Sequence, residues 1–270
     1  MKNGAVDGIT YPKVVNIGKS SCTVFCEGKQ TRLPFKKSSS KTEDVLEIIH
    51  AAVGSPIENQ SIGGSKYYVS FVDDYSKMAF VLFHYFQEFQ SMVENQKEKK
   101  VKVHRTDNGG KFCSRHFGSY LNKQGIIHQR TNAYTPEQNG LCERMNRSVV
   151  EKARCVIYDA GLEKIFWAEA VNTSVYLRNR SVVTGLNNKT PYKVWTSQKP
   201  TLSHLRIFGS VVMVHIPKER RLKWDKKANK LIFVGYAEKT KGYRVYDPVN
   251  NIVTISRDIV VMESPNQIVW

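Results

Sequence analysis

The sequence predicts an α/β protein with a mixed-sheet core, followed by a small all-β barrel. Three observations carry that expectation. Short β-branched and aromatic runs alternate with amphipathic helical stretches through the middle of the chain. After Pro200 the helical patterns stop, and short apolar runs recur with turns every ten to fifteen residues or so. Between these regions, Asp107 ends a short strand and Glu143 opens a long helix, with thirty-five residues between them.

The elements follow in chain order. Residues 1–40 are polar and turn-rich, and residues 36–44 read as a linker. Val45 to Val53 mixes helix and strand signals. Tyr67–Val72 and Met78–Phe83 are strands around the acidic turn Asp73-Asp74-Tyr75-Ser76-Lys77, which makes a hairpin. Gln87–Glu98 predicts a helix, residues 101–105 a strand, Phe117–Lys123 a short helix stopped by Gly125, and Ile126–Gln129 another strand. Gln138–Tyr158 is the longest helix. Cys142, Met145, Val149, Ala153 and Val156 recur there at three- and four-residue steps, one apolar stripe. Residues 166–179 predict a further helix with Trp167, Val171, Ser174 and Leu177 on one face. The barrel strands are read at 205–212, 231–236, 243–247 and 252–259. The division is therefore residues 1–40, a core at 41–200 and a barrel at 201–265.

Charge narrows the function. The chain carries +17 net charge, and Asn95–Cys155 alone holds thirteen Lys and Arg against five Asp and Glu. Basic charge clustered around carboxylate motifs points to nucleic acid. The run Pro217–Lys230, with Lys218, Arg220, Arg221, Lys223, Lys226, Lys227 and Lys230, reads either as a solvated loop or as a phosphate-contacting arm. No apolar run approaches the ~20 residues of a membrane span, so no membrane partner is expected. Five cysteines without a secretory segment predict reduced thiols in an intracellular setting. Cys142 reads as a packing residue of its helix rather than a nucleophile.

A carboxylate at a strand end and another on a helix can together hold Mg²⁺, a hard ion that takes oxygen ligands. Glu143 lies one step from the buried stripe, close to the sheet and still wet. Arg105-Thr106-Asp107-Asn108-Gly109-Gly110-Lys111-Phe112 and Tyr134-Thr135-Pro136-Glu137-Gln138-Asn139-Gly140-Leu141-Cys142-Glu143-Arg144-Met145-Asn146-Arg147 resemble the second and third blocks of copia-type retrotransposon integrases, at the matching spacing. The resemblance runs from about Cys22 to about Met262. It implies an RNase H-like core and a small C-terminal barrel of a Pol polyprotein. It further implies Asp107 and Glu143 as catalytic metal ligands in a two-metal Mg²⁺ (or Mn²⁺) site. Asn108, Lys111, Gln138, Asn139, Arg144 and Arg147 would then contact DNA. The partners implied are retroelement ends and target DNA, with a possible homo-oligomer, acting in the nucleus after cytoplasmic particles.

The sequence departs from the family in three places. The first-strand block reads His50-Ala51-Ala52-Val53-Gly54-Ser55-Pro56, so Ala52 stands where the family carries its first catalytic Asp. A methyl group offers no oxygen, and in two-metal sites that carboxylate commonly bridges both ions. Asp73 and Asp74 match an acidic pair of the family's second strand and read as turn residues rather than substitutes. The stretch Phe83–Val93 is some eight to ten residues shorter than in the family, which predicts a strained or exposed patch of core. Finally, Cys22 and Cys26 have no preceding His, and two thiolates do not close a structural zinc site, so zinc is not expected. Two readings stay open: an integrase impaired at Ala52, and a non-catalytic nucleic-acid-binding remnant.

Overall fold

A computed structural model describes residues 42–54, 57–83, 86–107, 112–131, 139–238 and 240–262. The Cys22–Cys26 segment lies outside them. The chain divides into two compact units, Met1–Ser39 and Ser40–Trp270; all described residues belong to the second.

The core sheet is built from β1 (Ile48–Val53), β2 (Val69–Asp73), β3 (Ala79–Leu82), β4 (Val103–Thr106) and β5 (Ile127–Arg130). Their order is β3-β2-β1-β4-β5. The β1–β2 and β2–β3 pairs are antiparallel, whereas β1–β4 and β4–β5 are parallel. The helices are α1 (Phe86–Lys97), α2 (Arg115–Lys123), α3 (Gly140–Asp159), α4 (Trp167–Arg180) and α5 (Pro191–Thr196). This is the RNase H-like mixed sheet that the order of elements predicts.

The central strand β1 explains the two layers. Its side chains alternate between faces, and both faces are buried. Ile49 and Ala51 join Phe71, Phe89, Val93, Leu121 and Trp195 beneath α1, α2 and α5. Ala52 joins Cys142, Met145, Val149 and Ala153 of α3, with Val171 and Val175 of α4, on the other side. A strand covered on both faces reads as an apolar run without alternation, which is why residues 45–53 gave mixed signals.

Among the described residues before Val93, the aromatic side chains of α1 pack into the core rather than leaving an exposed patch there. Phe86, Phe89 and Val93 of α1 are all buried, and Phe89 stacks on Phe71 at 4.1 Å between ring centroids. Burying one such ring contributes roughly 1.5–3 kcal/mol. The edge strand β3 is also protected. Asn179 of α4 accepts from the Ala79 N–H at 3.0 Å and donates to the Ala79 carbonyl at 2.7 Å. These bonds occupy the outward backbone groups that an open edge would expose.

The second sheet holds β6 (Val211–His215), β7 (Ala228–Tyr236), β8 (Tyr243–Asp247), β9 (Ile252–Ser256) and β10 (Ile259–Val261), in the order β10-β6-β7-β8-β9, all antiparallel. Residues 205–210 are not part of β6 as expected. Gly209 takes φ +86°, and a Cβ there would stand 2.3 Å from that of Ala160, so the chain turns tightly against the end of α3 before β6 begins. The expected strand 252–259 likewise breaks between Ser256 and Ile259.

Helix α4 lies between the two sheets. Trp167, Ala168, Ala170, Val171, Thr173, Ser174 and Val175 are all buried, more than the single face read from the sequence. Its barrel side carries Glu169, which accepts from Arg244 Nε at 2.6 Å and from a terminal guanidinium nitrogen at 2.7 Å. Tyr176 stacks on Tyr236 at 4.2 Å.

Candidate metal-binding and nucleic-acid site

The site lies where β1, β4 and the start of α3 meet. The parallel register pairs His50 with Arg105 and Ala51 with Thr106. β4 ends at Thr106 opposite Ala51, so Asp107 follows directly at the end of β4 that lies toward Ala52. On its other side, Ala52 pairs with Ser70 of β2. Ala52 is 4% exposed, and its carbonyl accepts a hydrogen bond from the Ser70 hydroxyl at 3.2 Å. The strand end is closely packed: Gly54 gives its N–H to the Tyr68 carbonyl at 2.8 Å. A Cβ on Gly54 would fall 2.3 Å from the Tyr68 ring.

Helix α3 brings the second carboxylate. Cys142, Met145, Val149, Ala153 and Ile157 are its buried residues, so the apolar stripe ends on Ile157 rather than Val156. Cys142 is fully buried, its sulfur 3.3 Å from the Ser70 hydroxyl. Burial, with the charges of Asp107 and Glu143 adding to it, pushes the Cys142 thiol up to about 12. The packing role read for Cys142 therefore holds. Asp107 and Glu143 are each half-buried, open to water on one side. Arg144, Arg147, Glu151 and Arg154 follow on the exposed face of α3, a mainly basic stripe leading away from Glu143.

Asn139 is a correction. It precedes α3 and was expected to contact DNA, but its side chain is completely buried. Its amide nitrogen donates to the Ala51 carbonyl at 2.9 Å, and its oxygen lies 3.2 Å from His50 Nδ1. Asn139 therefore ties the start of the Glu143 helix to the strand that carries Ala52. His50 continues through Nε2 to the half-buried Asp74 at 3.2 Å, and Asp74 also accepts from Lys77 at 3.1 Å and Thr42 at 2.9 Å. Burial opposes ionisation of Asp74, but the bonds from His50 and Lys77 prevail and hold its carboxyl well below the usual range. The sequence reading missed this chain. Its signal was present as a His two residues before Ala52 and an acidic pair at the end of β2.

Neither Asp73 nor Asp74 replaces the missing donor. Asp73 pairs with Ile49 in the register, three residues down the strand from Ala52, or about 10 Å. Its carboxylate accepts from the Ser76 N–H and hydroxyl and from the Leu46 N–H, as a turn residue does. Asn108, Lys111 and Gln138 lie outside the described residues. Among the described residues, no group of three or more His, Cys, Asp or Glu is disposed to hold a metal. The two carboxylates suit a single hydrated Mg²⁺, which commonly keeps several waters beside one or two carboxylates. With Ala52 at the end of β1, the described residues offer no third carboxylate there to bridge a second ion. No helix among the described residues is long and apolar enough to cross a membrane.

Comparison with known proteins places this architecture. Residues 210–268 match the retroviral polymerase SH3-like domain. A retrovirus-related Pol polyprotein from the Nicotiana tabacum transposon TNT 1-94 is 41% identical over 264 residues, 95% of this chain and 20% of that polyprotein. Those of the Arabidopsis thaliana transposons RE2 and RE1 are 31% and 28% identical, over 83% and 88% of this chain and 16% and 17% of the polyproteins. The intasome of simian T-cell lymphotropic virus, solved with PP2A regulatory subunit B56 gamma, superposes with a TM-score of 0.49 at 16% identity, over 91% of this chain and 88% of that one. The class defined is thus a retroelement polyprotein region that ends in an SH3-like domain. Homologues of this chain are the retrovirus-related Pol polyproteins of copia-type plant transposons, and the chain spans a fifth or less of the length of these relatives.

Proposed function

We propose that this chain is the integrase segment of its polyprotein, built for metal-dependent phosphoryl transfer on DNA and impaired at Ala52. The supporting observations are the parallel β1–β4 register, which ends with Ala51 opposite Thr106, and the Asn139 bond to the Ala51 carbonyl: they bring Asp107, which follows β4, and the first turn of the Glu143 helix to the end of β1, where Ala52 offers only a methyl group. Bound Mg²⁺ would neutralise charge on the reacting phosphate and assist its attack by water or a 3′-hydroxyl. The Asp107 and Glu143 carboxylates would hold that ion. Asn139 and His50 keep the Glu143 helix seated on β1, and Arg144 and Arg147 would take the DNA backbone along α3. Nothing on β1 balances a second cation. Loss of one preorganised electrostatic group lowers rates by about 10²–10³, and loss of a bridging ligand lowers them further. The partners in this reading are retroelement ends and target DNA in the nucleus, with the chain acting as a multimer.

A second reading, a nucleic-acid-binding remnant without chemistry, is favoured by the burial of Ala52 among apolar side chains. Labelled oligonucleotides separate the two. The first reading predicts negligible strand transfer by the native chain with Mg²⁺ and a measurable gain in Ala52→Asp that Asp107→Asn abolishes. Salt-sensitive binding with no gain in Ala52→Asp leaves the remnant. Robust transfer by the native chain would refute the assignment of Ala52.

A further inference from the structure

The arm between β6 and β7 holds two features that the proposed reaction does not use. Trp224 is 92% exposed and Leu222 76%. They stand among Lys218, Arg220, Arg221, Lys223, Lys226 and Lys227, with Glu219 and Asp225 the only acidic residues of the arm. An isolated surface hydrophobe is ordinary; an indole projected from a basic arm is a different arrangement.

The arm is ordered by its own backbone. Ile216 N–H donates to the Lys227 carbonyl at 2.9 Å and closes its base. Arg220 and Arg221 donate back to Pro217 and Lys218, and Arg221 Nε reaches the Ile216 carbonyl. At the tip, Asp225 N–H donates to the Leu222 carbonyl at 3.2 Å, and the Asp225 carboxylate accepts from the Leu222 N–H at 2.7 Å. Trp224 is the third residue of this doubly closed turn. Its indole is held out by hydrogen bonds rather than by packing, while Trp167 and Trp195 are buried in the core.

We propose that the β6–β7 arm binds an unpaired nucleic-acid strand, with Trp224 stacking on a base and Lys223, Lys226 and Lys227 on the flanking phosphates. Aromatic faces between basic side chains suit single strands, because every base has a face to stack while a duplex hides it. A protein partner for so basic an arm would have to be acidic, and a merely polyanionic partner would not need the indole. The inference deepens the nucleic-acid reading but rests on the arm alone.

The test is fluorescence anisotropy of the full chain with a short oligothymidylate, alone and annealed to its complement, with heparin as a base-free polyanion. Trp224→Ala should weaken the single strand about ten- to a hundredfold and leave duplex and heparin unchanged. Trp224→Phe should keep most of the affinity. Replacing Lys223, Lys226 and Lys227 with Ala should lower the single-strand salt slope by about 2. Native single-strand affinity in Trp224→Ala, with duplex binding intact, overturns the arm's role and leaves the nucleic-acid reading standing. An equal loss on heparin overturns base stacking. A native chain that binds neither form overturns both readings.

Discussion

The Asn139 side chain joins α3 to β1 through a 2.9 Å hydrogen bond to the carbonyl of Ala51. The bond is buried, lies one residue before Ala52, and fixes where the Glu143 helix begins.

Asn139→Ala leaves the Ala51 carbonyl and one nitrogen of His50 without this partner inside the protein. Unsatisfied buried polar groups cost about 1–3 kcal/mol each. Urea unfolding should show a loss in that range, whereas Arg147→Ala on the exposed face of the same helix should change stability by less than about 0.5 kcal/mol. Equal effects would remove Asn139 from the framework.

His104 makes the fold acid-sensitive. It lies among Phe71, Phe86, Phe112 and Phe117, and neither ring nitrogen has a hydrogen-bond partner. Burial, reinforced by His128 and His50, lowers its pKa from 6.5 to about 3. The unfolded chain therefore takes up the proton first as pH falls. The contribution of His104 is complete above about pH 6.5 and is lost toward about pH 3, at up to ~1.4 kcal/mol per pH unit. Asp73, raised by burial, acts in the opposite direction, so comparison with a variant isolates the histidine. His104→Leu should flatten the acid limb and raise stability near neutrality by about 1 kcal/mol. Parallel acid limbs in the two proteins would contradict the assignment.

Glu169 and Arg244 bind α4 to β8 with side-chain exposures of 7% and 31%. Breaking such a pair strands a charge, and Glu169→Leu should cost toward the lower end of about 3–5 kcal/mol, given the partial exposure of Arg244. The double variant Glu169→Leu/Arg244→Leu should recover much of that loss in thermal unfolding. A double variant no more stable than Glu169→Leu would show that packing, rather than the stranded guanidinium, sets the cost.

Much of this architecture was legible in the sequence, because periodicity reports burial. The α3 stripe showed its buried face to within one residue, and the hairpin around Asp73-Asp74 gave β2 and β3. The sequence was silent where a residue serves two neighbours. Glu169 and Thr173 lie off the one face read for α4, because nothing local shows that a second sheet covers them. Asn139 looked like a surface group because its acceptor, the Ala51 carbonyl, is eighty-eight positions away. Gly209 turned a run that reads as strand into a bend, through contact with Ala160. Ala52 was legible only through the family resemblance; composition and spacing give an alanine no meaning.

Magnesium-dependent stability of the native chain and Ala52→Asp tests the central claim most directly. A new carboxylate beside Asp107 and near Glu143 repels both, so the variant should melt below the native chain in chelator. Millimolar Mg²⁺ should then raise its melting temperature, because an ion bound only by the folded state stabilises it. The native chain, with one donor fewer, should respond far less. Equal responses to Mg²⁺ in the two proteins would contradict the account.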